Sequence, residues 1–205
     1  MIAIIDYGVG NVQAFLNLFK FLGVKAYRAT NSKDLNIAER IVLPGVGHFD
    51  HAMNKLVSSG MITKLEELVL FKKLPIIGIC VGMQMLAESS EEGNLPGLNW
   101  LPGKVRAFKK YNKSFNLPTP HMGWNNLIPN SNSRLFSKGF ENGAQFYFLH
   151  SYFFDCTDKE NVVAKANYGF DFDAVVSCNN IHGIQCHPEK SHHWGFQLLK
   201  NFAEV

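Results

Sequence analysis

The chain has 205 residues, 46% hydrophobic and 18% charged, with a formal net charge of +3; this gives apolar surface for one α/β core, argues against two independent cores and excludes a disordered chain. No run of Lys or Arg exceeds two residues, so the slight basic excess reads as a solvated face and not as a nucleic-acid surface. No stretch reaches the roughly 18 apolar residues that span a bilayer, and Met1-Ile2-Ala3-Ile4-Ile5-Asp6 lacks the basic leader of a signal peptide. The expectation is a cytoplasmic chain forming one domain over residues 1–205. Its four cysteines, Cys80, Cys156, Cys178 and Cys186, form no C-x-x-C pair and read as free thiols.

In chain order, Ile2 to Ile5 predicts a strand that ends in a loop at Asp6-Tyr7-Gly8. Val12, Phe15, Leu16, Phe19 and Leu22 recur at helical spacing, with Gly23 as the stop. Val24 to Ala29 reads as a second strand, and Arg40 to Leu43 as a third, closed by Pro44-Gly45-Val46-Gly47. Helical pieces follow over His48 to Ser58 and Met61 to Lys72, then a strand over Pro75 to Ile79 that is apolar throughout, as when both sheet faces are covered. A short helix is expected from Met83 to Glu88. Beyond residue 100, the runs Val105–Phe108, Phe146–Leu149, Ala174–Ser177 and Ile181–Gln185 read as added antiparallel strands. The stretches 109–120 and 129–133 read as surface loops, and Ser191 as the N-cap of a last helix to Phe202. The class is α/β in three layers: a mostly parallel central sheet, flanking helices and extra antiparallel strands.

The sharpest local feature is Gly78-Ile79-Cys80-Val81-Gly82-Met83-Gln84. A buried strand ends in a Cys flanked by glycines two before and two after, which is the cysteine form of a nucleophile elbow. The glycines permit a tight turn and close approach of neighbouring elements, and the helix start downstream favours a thiolate. Taken alone, such a Cys is more often a core residue. In Gly183-Ile184-Gln185-Cys186-His187-Pro188-Glu189, His187 supplies a base and Glu189, two residues on, the group that orients it, as an activated thiol requires. In an extended chain both would point to one side. The glycine-rich Pro44–Gly47 end can present backbone N–H groups as an oxyanion hole, or be a plain turn. His48-x-x-His51 and His192-His193 lack the further ligands of a metal site, and neither a dinucleotide nor a triphosphate loop motif occurs.

Together, GICVGMQ, QCHPEKS and PGVG resemble the class I (triad) glutamine amidotransferases. Asp6-Tyr7-Gly8-Val9-Gly10-Asn11, His121-Met122-Gly123-Trp124-Asn125 and Phe148-Leu149-His150-Ser151-Tyr152 extend the resemblance, along the whole chain, to the family of glutaminase subunits of imidazole glycerol phosphate synthase. The resemblance implies a flavodoxin-like fold and no cofactor or metal. It implies a γ-glutamyl thioester on Cys80, with His187 as base and then acid and Glu189 as its orienter. The N–H of Val81 and one from Val46-Gly47 would form the oxyanion hole, the second after a peptide rearrangement set by a partner. Gly45, Gln84, Glu92, Ser151 and Tyr152 match glutamine-binding positions. Ammonia would pass to a (β/α)8 cyclase subunit in a heterodimer, with His121, Met122, Gly123, Trp124 and Asn125 at the interface. Cys186 departs from the family, where an aromatic is common. Three alternatives stay open: a paralogous subunit supplying another acceptor such as a surface sugar, a γ-glutamyl peptidase on the same fold, and a catalytically inactive scaffold.

Overall fold

The computed structural model describes residues 1–111, 117–129 and 133–205. In chain order it comprises β1 (Ile2–Ile5), α1 (Val12–Phe21), β2 (Ala26–Ala29), β3 (Arg40–Gly45), α2 (Phe49–Ser58), α3 (Ile62–Glu66), β4 (Ile76–Cys80), α4 (Val81–Met85), β5 (Ser89–Ser90) and β6 (Gly103–Ala107). There follow α5 (Phe108–Tyr111), β7 (His121–Pro129), β8 (Gln145–His150), β9 (Tyr152–Cys156), β10 (Val162–Asn167), β11 (Asp171–Cys178), β12 (Ile181–Ile184) and α6 (His192–Glu204).

The strand order is β2-β1-β3-β4-β12-β11-β10-β7-β8. From β2 to β12 every pairing is parallel, and from β12 to β8 every pairing is antiparallel. A branch joins β9 to β11 and β6 antiparallel, with β5 alongside β6. The parallel strands carry unbroken apolar runs because both faces are covered: β1 and β4 are buried at every position. Alternation along β12 shows how. Gly183 lies against Met83 of α4, while the next side chain back, His182, meets Phe202 of α6. Thus α4, with α2 packed on it, covers one face, and α6, with α1 packed on it, covers the other. No helix among the described residues is long and apolar enough to cross a membrane.

Most sequence-predicted elements of the parallel half occur within one or two residues, but the run expected over Ile181–Gln185 as an antiparallel strand is corrected: β12 lies parallel to β4 and is antiparallel only to β11. The helix after Cys80 is corrected: it begins at Val81 and ends at Met85, not Met83 to Glu88. The second helical piece of 61–72 turns π-helical over Glu67–Phe71. Two predicted loops need revision, since Phe108–Tyr111 is helical and Pro129 ends β7; residues 112–116 and 130–132 of those stretches lie outside the described residues. Ser191 occupies the N-cap of α6 but makes no side-chain cap bond. Its hydroxyl instead donates to His187 O at 2.6 Å and accepts from Tyr147 N at 3.0 Å.

Candidate active site

Cys80 ends β4 at φ +54°, ψ −111°, a conformation that costs an L-residue of order 1–3 kcal/mol and is held only when its surroundings enforce it. Those surroundings are glycines. A Cβ on Gly82 would overlap the Leu43 carbonyl of β3, one on Gly45 would overlap Gly82 N, and one on Gly78 would sit 2.6 Å from Gly82 O. Gly78 and Gly82 therefore serve close approach, while the positive φ falls on the cysteine itself. The turn lifts the sulfur to the carboxyl ends of β3 and β4, where Gly45 and Cys80 are register partners and the sheet of an α/β fold binds ligands. A cavity of about 730 Å³ opens there, lined by Cys80, Val81, Val46, Gly47, His187 and Glu189 among others.

His187 follows β12, extended at φ −105°, ψ 92°, and Pro188–Lys190 then makes a 3-10 turn. That turn, and not the continued strand expected from sequence, swings the Glu189 carboxylate back onto the ring: Glu189 Oε1 lies 2.8 Å from His187 Nδ1. The imidazole is locked from behind, with His187 N bonded to Tyr147 O at 2.9 Å and its carbonyl to Ser191. Burial lowers the His187 pKa, but hydrogen bonding to, and negative charge on, the Cys80 sulfur and the Glu189 carboxylate outweigh it and raise the value to about 10. A thiol and an imidazole lining one cavity, with a carboxylate on the imidazole Nδ1, are the groups that can exchange a proton and hold the resulting imidazolium. Both side chains of the His–Glu pair are about 95% buried, at 5% and 6% exposure, so solvent screens the interaction little.

Of the other expected residues, Gln84, Glu92, Ser151 and Tyr152 fall on the same cavity, whereas Gly45 is buried behind it, packed against Gly82 N. Gln84 is 2% exposed, with Nε2 donating to Tyr152 O at 3.2 Å and to Gln185 Oε1 at 3.0 Å. Glu92 lines the cavity too, but its Oε2 accepts from Phe49 N at 2.8 Å, so this carboxylate also holds the first turn of α2. Ser151 and Tyr152 bridge β8 and β9 on the opposite wall. Gly47 is at φ +83°, within the loop that leaves β3. Sequence reasoning left Gly10, Asn11, Leu149 and His150 unassigned, yet all four line the cavity. Gly10 and Asn11 follow β1, next to β3 in the sheet, and the rule that α/β ligand sites lie beyond the strand ends would have found them. Gln185 was also missed; it is fully buried and its Nε2 lies 3.6 Å from the Cys80 sulfur. Burial pushes the Cys186 thiol well above its ordinary range, with Glu189 adding to the effect.

The segment 121–125 proves to be a strand, and alternation divides it. Met122 and Trp124 point outward at 65% and 44% exposure, and Trp124 stacks on His192 with ring centres 5.3 Å apart. His121 is corrected: at 3% exposure it faces inward, stacked on Tyr168 and 3.0 Å from His150 through Nδ1. Asn125 bonds to His121 and to Asn167 O. His48 accepts from Asp50 N.

A cysteine on a strained turn, facing a carboxylate-bound imidazole over a glycine-rich strand end, defines a thiol-dependent hydrolase or transferase of the elbow type. The model of the family "Glutamine amidotransferase class-I" matches residues 3–205. The imidazole glycerol phosphate synthase subunit HisH of Bdellovibrio bacteriovorus is 53% identical over 205 residues, covering all of both chains; that of Leptospira borgpetersenii is 48% identical over the same full coverage. A structure of PurLQS from Thermotoga maritima shares the fold at a TM-score of 0.74 and 18% identity, covering 99% of this chain and 97% of that one. The chain belongs to the class I glutamine amidotransferases and, within them, to the HisH family.

Proposed function

We infer that the chain, as one domain over residues 1–205, is the glutaminase subunit of an imidazole glycerol phosphate synthase. Cys80 attacks the side-chain amide of glutamine, its proton passing to His187; the imidazolium, held by Glu189, protonates the leaving ammonia; water then hydrolyses the γ-glutamyl thioester to glutamate. The N–H of Val81, at the start of α4, and one from Val46-Gly47 take up the oxyanion charge. Gln84, Glu92, Gly45, Ser151 and Tyr152 form the glutamine site. In Gln84 both amide hydrogens are committed, which leaves its Oε1 as the group to accept a hydrogen bond from substrate.

The ammonia passes to a (β/α)8 cyclase partner acting on a phosphoribulosyl-formimino imidazole carboxamide nucleotide. The docking face includes Met122 and Trp124; Met122 is the register partner of Leu149 on β8, and all three are exposed apolar residues of the kind that interfaces bury. The observation that carries the reading is the 2.8 Å His187–Glu189 contact beside a cysteine held at positive φ. The test mixes purified chain with the cyclase and follows glutamate release. Cys80→Ala is expected to abolish release and keep the complex intact on gel filtration. Undiminished release would refute the role of Cys80.

A further inference from the structure

We propose that Gln185 is the positioning residue of the nucleophile, holding the Cys80 sulfur through its side-chain N–H, with its direction set by a hydrogen-bond chain anchored on the Tyr152 carbonyl. The proposal rests on the reading of Cys80 as nucleophile and adds a residue that the triad does not contain. An amide side chain can present oxygen or nitrogen to a neighbour, and the network decides which. The Tyr152 carbonyl only accepts. Gln84 must therefore turn its Nε2 toward it, at 3.2 Å, and the second hydrogen of that amide reaches Gln185 Oε1 at 3.0 Å. With its oxygen committed, Gln185 has only Nε2 to turn to the sulfur, 3.6 Å away. The backbone of Gln185 is fixed as well, its N bonded to Ala174 O at 2.9 Å.

The same carbonyl orders the other side. His150 Nδ1 lies 2.8 Å from Tyr152 O and so carries the proton, which leaves Nε2 as an acceptor. His121 Nδ1, 3.0 Å from it, must donate, and His121 Nε2 then accepts from Asn125 Nδ2 at 3.2 Å. A proton added to His150 would set two N–H groups against each other across that gap, and one added to His121 would set its Nε2–H against the Asn125 amide. Burial keeps both rings neutral, with pKa values lowered to about 4 for His121 and about 3 for His150. Every donor from Asn125 to Gln185 thus has one permitted orientation, and the chain ends on the reactive sulfur. An N–H bonds a thiolate more strongly than a thiol or a thioester. Gln185 therefore favours the sulfur in its attacking form and again as the leaving group of thioester hydrolysis.

The test uses the full chain without glutamine, so that it stands apart from the glutaminase assay. Gln185→Met keeps the length and removes the donor. Alkylation of Cys80 by iodoacetamide should shift its pH midpoint upward by about one unit, and kcat for glutamate release with the partner should fall about tenfold with KM little changed. In the unaltered chain, the 15N resonance of the Gln185 side-chain amide should move with pH in step with Cys80 alkylation, and stay still in Cys80→Ala. This second arm decides the matter should Gln185→Met fail to fold. An unshifted alkylation profile in folded Gln185→Met, or an amide resonance indifferent to Cys80→Ala, would overturn the proposal. Absence of glutaminase activity alongside the expected amide behaviour would count against the enzymatic reading and leave the Gln185–Cys80 bond standing.

Discussion

Replacing Glu189 with Gln keeps the shape of the side chain and removes its charge. In the native site Oε1 accepts from His187 Nδ1 at 2.8 Å, and Oε2 is buried with no partner among the described residues. The amide oxygen can take over the first role, so the ring tautomer survives; the amide nitrogen falls where no acceptor waits. A hydrogen bond to a charged group is worth about 1.5–3 kcal/mol, equivalent to about one to two units in the His187 pKa. With the partner, kcat for glutamate release should fall about ten- to a hundredfold. Stability should follow a defined pH course. The folded-state pKa of His187 is raised from 6.5 to about 10, so its contribution is complete below about pH 6.5 and is lost as pH rises through about 10. Glu189→Gln should therefore melt about 3–12 °C below wild type near pH 6, and the gap should close toward pH 10. Circular-dichroism melts across that range are the assay. A gap that is absent, or constant with pH, would refute the electrostatic account of the pair.

Gly82→Ala would drive a methyl group into the Leu43 carbonyl; a loss of about 1–3 kcal/mol should appear as a melting point several degrees lower, and an unchanged melt would contradict the close-approach argument. Ser191→Ala strands the Tyr147 N–H and removes the donor to His187 O. It should cost about 1–3 kcal/mol and lower kcat by loosening the imidazole, as thermal melts and steady-state rates will report. On the acid side, His182 is buried, with its pKa lowered to about 4 by desolvation. The stability it permits is complete above about pH 6.5 and declines as pH falls toward 4. His182→Leu should flatten the acid limb of the melting profile, and a limb of unchanged slope would contradict it.

The parallel half was legible in the sequence because each of its elements carries its own pattern. β1 and β4 are short apolar runs, α1 repeats at helical spacing, and Cys80 sits between glycines that only a close backbone approach explains. The antiparallel half was read in part. Residues 121–129 alternate as a strand should, but Asn125, Asn126 and Pro129 broke the apolar signal, and pairing with β8 and β10 supplied what local propensity did not. β9 was missed for the same reason, its partner β6 lying far back in the chain; β10 was missed although β11 follows it directly, because Lys165 and Asn167 interrupt its apolar run. The inward turn of His121 depends on register, which one sequence does not reveal. Gln185 was invisible because its importance lies in contacts with Gln84 and Cys80, about a hundred positions away. The residue types that a thiol-based site needs were readable at Cys80, His187 and Glu189, since that chemistry prescribes them; the 3-10 turn that brings the His187 and Glu189 side chains together was not.

The most direct test is to quench the chain, turning over glutamine with its partner, in acid and map the peptides by mass spectrometry. The account predicts a γ-glutamyl group on the peptide bearing Cys80 and on none bearing Cys156, Cys178 or Cys186. Turnover with the adduct on another cysteine would contradict it.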